Sequence, residues 1–270
     1  MSGAAGVVLC GGRSSRMGRP KALLPWRGRR MVEHVCSVLR EVVDELVVVG
    51  SDALELPPLD ARRVTDREPG LGPLAGIREG LEAISAPRAF VTATDAPYLT
   101  PALVSALLER GDAVAPVVDG HVQTLSAVYP RALAKTAGAL IEAGRLRPLF
   151  LLEAAEFVRV AAEELPDPDA MRGFNTPEEY LEAVRADDPR ARVTVECRAS
   201  GSGGGSSVQV PVGTLSEVLA NAGLEPSHGS GEGGRSAYSL EGCFFPNGPG
   251  VPLGAGERLV VTPGPAEAGG

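Results

Sequence analysis

The feature that most constrains the fold is an alternation of short apolar runs with amphipathic segments along the first two thirds of the chain. Residues 5–10 form an apolar run that ends in a Gly-rich loop, residues 31–43 have the pattern of an amphipathic helix, and residues 45–50 form a second apolar run. Apolar strands that alternate with helices form a mostly parallel sheet covered on both faces. We therefore predict an α/β fold with a Rossmann-like, mostly parallel sheet.

The same alternation continues to about residue 186. It predicts strands at residues 63–65, 89–93, 113–118 and 124–129, and helices at residues 73–84, 101–110, 132–143 and 177–186. In such sheets ligands bind in the crevice beyond the carboxyl ends of the strands. We therefore expect the functional residues in the loops that follow the strands.

A change of composition divides the chain near residue 190. Of the 34 glycines, 18 lie between Arg190 and Gly270, although this stretch is less than a third of the 270 residues. Past the change, strand patterns occupy residues 193–197, 208–212, 238–245 and 257–262, and a helix pattern occupies residues 214–222. We predict two domains, residues 1–188 and residues 190–270, of which the second is a small α+β domain.

Charge and cysteine usage exclude several classes of protein. The net charge is −8 and the basic residues form no long run, which argues against a nucleic-acid surface. The four cysteines lie far apart without a CxxC pair, so neither a zinc ribbon nor a disulfide framework is indicated. The first residues have neither the charged start of a signal peptide nor a long apolar run. We expect a cytoplasmic protein without nucleic-acid or membrane partners.

A Gly-rich loop with clustered positive charge follows the first predicted strand, where residues 9–24 read LCGGRSSRMGRPKALL. Glycines let the backbone approach a ligand closely, and exposed backbone N–H groups bind anionic oxygens. Arg13, Arg16, Arg19 and Lys21 place four positive charges within nine residues, which indicates an anionic ligand. Lys21 is one of only two lysines among 26 basic residues, which favours a compact ammonium here. The spacing fits neither GxGxxG nor the Walker A loop, and a Gly-rich turn with solvated arginines is the alternative.

This loop resembles the signature loop of the nucleotidyltransferase superfamily, and its double glycine followed by Arg-Met-Gly and Lys is most similar to molybdenum cofactor guanylyltransferases. The resemblance spans roughly residues 5–186 and implies the nucleotidyltransferase fold. Cys10 replaces the alanine usual in the family, and the double glycine favours guanine. The resemblance implies that the guanine end of the nucleotide is held by Leu9, Cys10, Gly11 and Gly12. It also implies that Arg16 and Lys21 neutralise the triphosphate and the departing pyrophosphate.

Two carboxylates stand at the ends of predicted strands. Asp66 follows the short third strand, where it can accept both N–H donors of guanine, hold a ribose hydroxyl or cap a turn. Asp95 follows the strand at residues 89–93, where it can cap a helix or bind Mg²⁺, a hard cation that takes one or two protein carboxylates besides phosphates. The resemblance implies that Asp66 binds the nucleotide and that Asp95 is a catalytic, nucleotide-binding and Mg²⁺-binding residue. It further implies that Asn175, in the motif Phe-Asn-Thr-Pro-Glu, lies near the metal and the acceptor.

The end of the chain, GERLVVTPGPAEAGG, resembles the small sulfur-carrier subunit of molybdopterin synthase. That resemblance implies a β-grasp (ubiquitin-like) domain at residues 190–270 whose Gly270 becomes a thiocarboxylate. The implied partners are the large subunit of molybdopterin synthase and an adenylating enzyme. A low-complexity tail is the alternative.

Together the resemblances imply Mg²⁺-dependent transfer of GMP from GTP to molybdopterin carrying molybdenum, with release of pyrophosphate. The substrates would be GTP and molybdopterin, and the C-terminal domain would add a sulfur-carrier function. Two alternatives stay open at this point. One is a cytidylyltransferase that uses CTP on the same pterin, and the other is a sulfur-carrier or interaction protein with a nucleotide-binding platform.

Overall fold

The computed structural model describes residues 3–11, 16–68, 70–198, 205–224, 237–240, 243–244 and 248–262. The chain forms two compact units. The first unit comprises residues 1–13 and 30–173, and the second comprises residues 14–29 and 174–270. The Gly-rich loop at residues 9–24 therefore contributes to both units.

The strands are, in chain order, β1 (Ala4–Leu9), β2 (Pro25–Trp26), β3 (Arg29–Arg30), β4 (Glu45–Gly50), β5 (Arg62–Thr65), β6 (Arg88–Ala93), β7 (Val114–Val118), β8 (His121–Val122), β9 (Ser126–Pro130), β10 (Val158–Ala161), β11 (Arg192–Cys197), β12 (Ser206–Pro211), β13 (Gly213–Thr214), β14 (Ala237–Leu240), β15 (Cys243–Phe244), β16 (Pro252–Leu253) and β17 (Arg258–Thr262). The α-helices are α1 (Met31–Arg40), α2 (Pro73–Ala83), α3 (Pro101–Glu109), α4 (Leu133–Glu142), α5 (Pro148–Ala154), α6 (Pro177–Asp187) and α7 (Leu215–Asn221). Short 3₁₀-helices lie at Lys21–Leu23, Ala162–Glu164 and Pro168–Met171.

Within the described residues, the first unit is built on an eight-stranded sheet in the order β10-β7-β9-β6-β1-β4-β5, with β8 paired to β7. β1 lies between β4 and β6 and is parallel to both, and β4 is parallel to β5. β9 runs antiparallel to β6 and β7, while β10 is parallel to β7. The predicted Rossmann-like, mostly parallel sheet is confirmed.

Helix α2 packs directly on β1 because glycines face the strand. A Cβ atom on Gly76 would stand 3.2 Å from Leu9 Cδ2, and one on Gly80 would collide with Val7. Val7 is fully buried and Leu9 nearly so, within a core formed by residues of β1, β4, β6, α2 and α4. This packing fixes the end of β1, from which the Gly-rich loop departs.

The predicted elements of the first unit are found within three residues of their expected ends, the largest difference being α1, which ends at Arg40 rather than at residue 43, but some elements were not expected. β8, α5 and β10 were not predicted from the sequence, nor was the antiparallel direction of β9. β9 follows β8 through a short connection and enters the sheet between β6 and β7. The expected strand at residues 124–129 is therefore present, with its direction reversed relative to β6.

The second unit contains a five-stranded sheet in the order β12-β11-β17-β14-β15, counted over the described residues. The hairpin strands β11 and β12 are antiparallel, and β11 is parallel to β17 at the centre of the sheet. β17 is antiparallel to β14, which pairs with β15. Helix α7 follows the hairpin, so this unit contains a second, small sheet with a helix, and its assignment as a β-grasp domain stays a prediction.

The second unit also includes residues 14–29 and helix α6. Phe174 lies between Trp26 and Tyr180, with ring centroids 6.5 Å and 5.1 Å away. The buried Tyr180 hydroxyl donates a 2.7 Å hydrogen bond to the carbonyl of Pro25. Contacts thus group the part of the chain before residue 188 differently from composition, and the boundary at residues 188–190 stays a prediction.

Helix length bears on the expected absence of a membrane span. Helices α2 and α6 have 11 residues each, whereas a helix that crosses a bilayer needs about 20. No helix in the described part of the chain is both long and apolar enough to cross a membrane.

Candidate active site

The candidate residues of the first unit gather at the carboxyl edge of its sheet. Backbone hydrogen bonds continue past the strand ends, from Cys10 N to the Val49 carbonyl (2.7 Å), from Asp66 N to the Gly50 carbonyl (2.9 Å) and from Thr94 N to the Leu9 carbonyl (3.3 Å). Parallel strands end at one edge, so residues that follow β1, β5 and β6 meet there. The structure thus brings Leu9, Cys10, Gly11 and Asp66 to one edge. The start of the connection between β6 and α3, residues 94–100, lies at the same edge and is called the Asp95 loop below.

Gly11 and Asp66 lie close together at this edge. A Cβ atom on Gly11 would be 4.0 Å from Asp66 Oδ2, so the carboxylate is beside a backbone that carries no side chain. Asp66 Oδ1 accepts a 3.1 Å hydrogen bond from the Glu68 amide, which begins the loop into α2. Gly70 and Gly72 have φ angles of 99° and 83°, in the region that favours glycine. Glycine thus permits the backbone conformation at these two positions of the chain between Asp66 and α2.

Cys10 is a small neutral side chain in this environment. Burial raises the pKa of its thiol far above its usual range, and the neighbouring Cys36 adds to the rise. The backbone at Gly50 is close, since a Cβ there would be 3.2 Å from Cys10 Cβ. A buried, protonated thiol is a poor nucleophile. Cys10 is therefore interpreted as a small packing residue, in place of the alanine that is usual in the family that the loop resembles.

A charged network holds the loop after Asp66 to helix α2. Arg67 donates to Glu79 (2.8 Å) and to Glu82 (2.6 Å), and Arg78 donates to Glu79 (2.7 Å) and lies 2.9 Å from Glu68. Burial disfavours the Glu79 carboxylate, but the hydrogen bonds from Arg67 and Arg78 outweigh it and lower the pKa of Glu79. This network was not predicted from the sequence, because its charges follow no motif.

The Asp95 loop is supported by two residues that the sequence did not single out for this role. A Cβ atom on Gly173 would collide with the carbonyl oxygen of Asp95. His34 Nε2, on α1, is 2.9 Å from the carbonyl oxygen of Pro97. The one signal that could have indicated Gly173 is its place directly before the Phe-Asn-Thr-Pro-Glu motif.

In the second unit, Lys21 and Asn175 come together although 154 residues separate them. Lys21 Nζ donates to the Phe174 carbonyl (2.8 Å) and to Asn175 Oδ1 (3.0 Å). The backbone N–H of Asn175 donates to Glu179 Oε2 (2.6 Å), and the hydroxyl of Thr176 caps α6. Both candidate residues are therefore placed by the start of α6.

The other positive charges of the loop have different surroundings. Arg16 is exposed. Arg19 is buried and ion-paired with Glu257, so the interpretation that the whole cluster needs an external anion is wrong for Arg19. Gly12 and Gly270, two further candidates, lie outside the described residues, as does Arg13.

Comparison with known proteins identifies the family. Residues 6–157, more than half of the chain, match the family described as MobA-like NTP transferase domain. The chain belongs to the MobA-like NTP transferase family. A nucleotidyltransferase enzyme, as the sequence predicted, is thereby confirmed.

Relatives of this MobA-like transferase carry a more specific name. The chain is 33% identical over 195 residues to a probable molybdenum cofactor guanylyltransferase of Bacillus mycoides, covering 68% of this chain and 98% of the relative. It is 36% identical over 195 residues to a protein of the same name from Bacillus anthracis, with the same coverage. The rest of this chain lies outside those alignments.

Solved structures support the fold of the MobA-like transferase. Molybdopterin-guanine dinucleotide biosynthesis protein A of Archaeoglobus fulgidus has a TM-score of 0.58 at 24% identity, over 68% of this chain and 99% of that one. The 2-C-methyl-D-erythritol 4-phosphate cytidylyltransferase of Thermus thermophilus has a TM-score of 0.53 at 21% identity, over 67% and 97%. Because the second protein is named for a different nucleotide, the shared fold leaves the base unassigned.

Proposed function

We propose that the chain transfers GMP from GTP to the terminal phosphate of molybdopterin carrying molybdenum, with release of pyrophosphate. We assign this activity to residues 1–188. The observation that carries the proposal is the 3.0 Å hydrogen bond between Lys21 and Asn175, which joins two motifs that each resemble the guanylyltransferase family. The relatives named molybdenum cofactor guanylyltransferase support the same acceptor and nucleotide.

The proposed reaction is an in-line displacement at phosphorus. A terminal phosphate oxygen of molybdopterin attacks the α-phosphorus of GTP, and the bond from that phosphorus to the bridging β-phosphate oxygen breaks. Pyrophosphate leaves, and no covalent enzyme intermediate forms. Such reactions are accelerated by positioning and by stabilisation of charge. Lys21 and Arg16 would neutralise the triphosphate and the departing pyrophosphate.

The acidic site residues fit a divalent cation that is held mainly by substrate. Among the described residues no three Asp, Glu, His or Cys side chains group as a metal site. Mg²⁺ is commonly held by one or two carboxylates together with substrate phosphates, and Asp95 supplies one such carboxylate at a strand end. Asp95 would hold Mg²⁺, which when bound supplies positive charge across the phosphate oxygens. Asn175 would lie near the metal and the acceptor.

The choice of guanine rests on the donor edge of the base. A carboxylate can accept hydrogen bonds from both the ring N–H and the amino group of guanine, whereas cytosine presents one amino donor beside acceptors. Asp66, beside Gly11, is the carboxylate that we assign to the nucleotide, with the backbone of Leu9, Cys10, Gly11 and Gly12 around the base.

Pyrophosphate release with molybdopterin as acceptor tests the proposal, with GTP, CTP and ATP compared at equal concentrations. We expect turnover with GTP at least tenfold above the other nucleotides. A preference for CTP would replace the proposal by the cytidylyltransferase alternative. GTP binding without pyrophosphate release would favour a carrier or interaction protein that uses the transferase domain only as a platform.

A second candidate function is a sulfur carrier at residues 190–270. The strand order of the second sheet, with β11 and β17 parallel at its centre, favours it. The carboxylate of Gly270 would attack the α-phosphorus of ATP on an adenylating enzyme, pyrophosphate would leave, and a sulfide donor would then displace AMP. The large subunit of molybdopterin synthase would be the acceptor of this sulfur.

Mass spectrometry of the C-terminal peptide, after incubation of the full chain with the adenylating enzyme, ATP and a sulfide donor, tests the carrier function. We expect an adenylate and then a thiocarboxylate at Gly270. A chain that lacks Gly269 and Gly270 is the control and should show neither. Absence of both products from the full chain would remove this second function and leave the transferase proposal intact.

A further inference from the structure

Arg19 of the signature loop is bound by a carboxylate far along the chain. Its Nη1 and Nη2 donate to the two carboxylate oxygens of Glu257 over 2.9 Å and 2.8 Å, and Nη1 also donates to the Pro252 carbonyl over 3.2 Å. The side chains are 8% and 1% exposed. The Gly254 amide donates to Glu257 Oε2 over 2.8 Å. A buried, two-pronged ion pair with further hydrogen bonds holds both groups in one geometry.

Two glycines bring the same loop into close contact with the segment at residues 251–257. Gly18 has a φ of 66°, and a Cβ atom on it would stand 2.8 Å from Val251 Cγ2. A Cβ atom on Gly254 would collide with the Tyr180 hydroxyl and stand 2.6 Å from Pro25 Cγ. The 251–257 segment therefore contacts the chain on both sides of Lys21 in the sequence, at Gly18 of the loop and at Pro25 of β2.

The 251–257 segment is itself held by β11, by β13 and by the start of α7. The Leu215 amide at the start of α7 donates to the Val251 carbonyl (2.8 Å), and the Thr194 amide of β11 donates to the Glu257 carbonyl (2.8 Å). β16, inside the segment, pairs with β13. The segment thus connects the sheet of the second unit, through hydrogen bonds, to Arg19 of the signature loop.

We propose that Glu257 is a positioning residue for nucleotidyl transfer. Through Arg19 it fixes the loop from which Lys21 reaches Asn175, and so it sets where the ammonium stands. Because Glu257 neutralises the charge of Arg19, we assign Arg19 to holding the loop in place and not to binding the nucleotide. This inference rests on the proposed function of Lys21, and it gives residues well past residue 157, where the family match ends, a part in the transfer.

A variant that keeps the buried volume separates positioning from folding. Arg19→Met with Glu257→Met removes both charges together, which avoids leaving one of them buried alone. We expect this full-chain double variant to melt within a few degrees of the wild type while kcat/KM for GTP falls at least tenfold. The matched control is Arg258→Met with Glu196→Gln, which removes a more exposed pair (3.2 Å) of the same sheet. The control should keep wild-type kcat and KM.

Coupling to Lys21 provides a readout that a purely structural role would not change. If Glu257 acts by placing Lys21, its effect should disappear when the ammonium is absent. In a Lys21→Met background, the double substitution at residues 19 and 257 should lower kcat/KM less than twofold further. A folded double variant with wild-type kcat and KM, or a full additional loss in the Lys21→Met background, would overturn the inference.

Hydrogen exchange of the unmodified chain covers the case in which the double variant does not fold. GTP should slow amide exchange at residues 251–257 together with residues 16–26. Slowing confined to residues 16–26 would contradict the inference. If the wild type neither binds GTP nor releases pyrophosphate from any nucleotide, the proposed function itself fails. That outcome is distinct from failure of the inference, in which the wild type is active and a variant altered at residue 257 has the same kinetics.

Discussion

Gly173 stands directly against the backbone of Asp95. A Cβ atom at residue 173 would collide with the Asp95 carbonyl oxygen and come within 3.9 Å of its Cγ. The backbone of the candidate metal-binding residue is thus in contact with a residue 78 positions later in the chain, just before the Asn175 motif. Any side chain at residue 173 must displace the Asp95 loop or be displaced by it.

Substitution of this glycine by alanine should therefore impair catalysis more than folding. In Gly173→Ala we expect kcat for pyrophosphate release to fall by about 10²-fold, since displacements of about 1 Å have such effects. Gly138→Ala is the matched control, because a Cβ atom there meets only Arg78 Cδ at 3.9 Å. It should gain about 0.5–1 kcal/mol in stability, since alanine is the better helix former in α4. Equal kcat in the two variants would contradict the role of Gly173.

Removal of the Asp95 charge tests the metal assignment separately from the position of the loop. Asp95→Asn keeps the shape of the side chain but weakens binding of a hard cation. We expect kcat to fall by about 10²–10³-fold, as when other charge-stabilising groups are removed, with the far-UV circular dichroism unchanged. The Mg²⁺ concentration at half-maximal rate should rise.

Asp112→Asn is the control for charge at residue 95. Asp112 is an exposed carboxylate of the same unit, paired with Arg88 at 2.9 Å. It should show wild-type rates and an unchanged Mg²⁺ dependence. Full activity of Asp95→Asn would remove the metal assignment.

The sequence predicted the sheet and its edge because both follow from local patterns. The predicted strands that became β5 and β6 placed Asp66 and Asp95 at strand ends, and parallel strands bring such ends together. Strand direction has no such pattern, since an apolar run reads the same either way. The reversal of β9 could therefore not be predicted.

Contacts made over long sequence distances were missed for a related reason. Nothing near Arg19 distinguishes it from Arg16, yet one is buried against Glu257 and the other is exposed. The pairing depends on where the 251–257 segment lies, and only the folded chain determines that. Gly173 was missed in the same way, because a close approach of two backbones leaves no signature in composition.

The identity of the cation at residue 21 gives a further prediction. The ammonium of Lys21 donates to two acceptors, the Phe174 carbonyl and Asn175 Oδ1, which a point charge on a flexible stem can do. In Lys21→Arg the charge remains but the larger planar group fits this pair poorly. We expect kcat/KM for GTP to fall by about 10²-fold.

Lys135, the other lysine of the chain, provides the matched control for residue 21. It is exposed on α4, and Lys135→Arg should have wild-type kinetics. Wild-type kcat/KM in Lys21→Arg would show that charge alone is required at residue 21.

The Glu79 network gives a prediction about stability and pH. Glu79 is 3% exposed and accepts from Arg67 and Arg78, so its carboxylate is stabilised in the folded chain and its pKa is lowered. A lowered pKa contributes stability that is present above the unfolded value of about 4.3 and is lost as the pH falls through the folded value. At pH 7 we expect Glu79→Gln to lower the free energy of unfolding by about 1–2 kcal/mol, less than for a fully buried pair because Arg67 is well exposed. Denaturant unfolding of both proteins from pH 7 to pH 3 should show the difference shrinking below about pH 4.

Glu82→Gln removes a more exposed partner of Arg67, and its effect should stay within about 0.5 kcal/mol. A Glu79→Gln difference that grows on acidification would mean that Glu79 is held protonated in the folded chain.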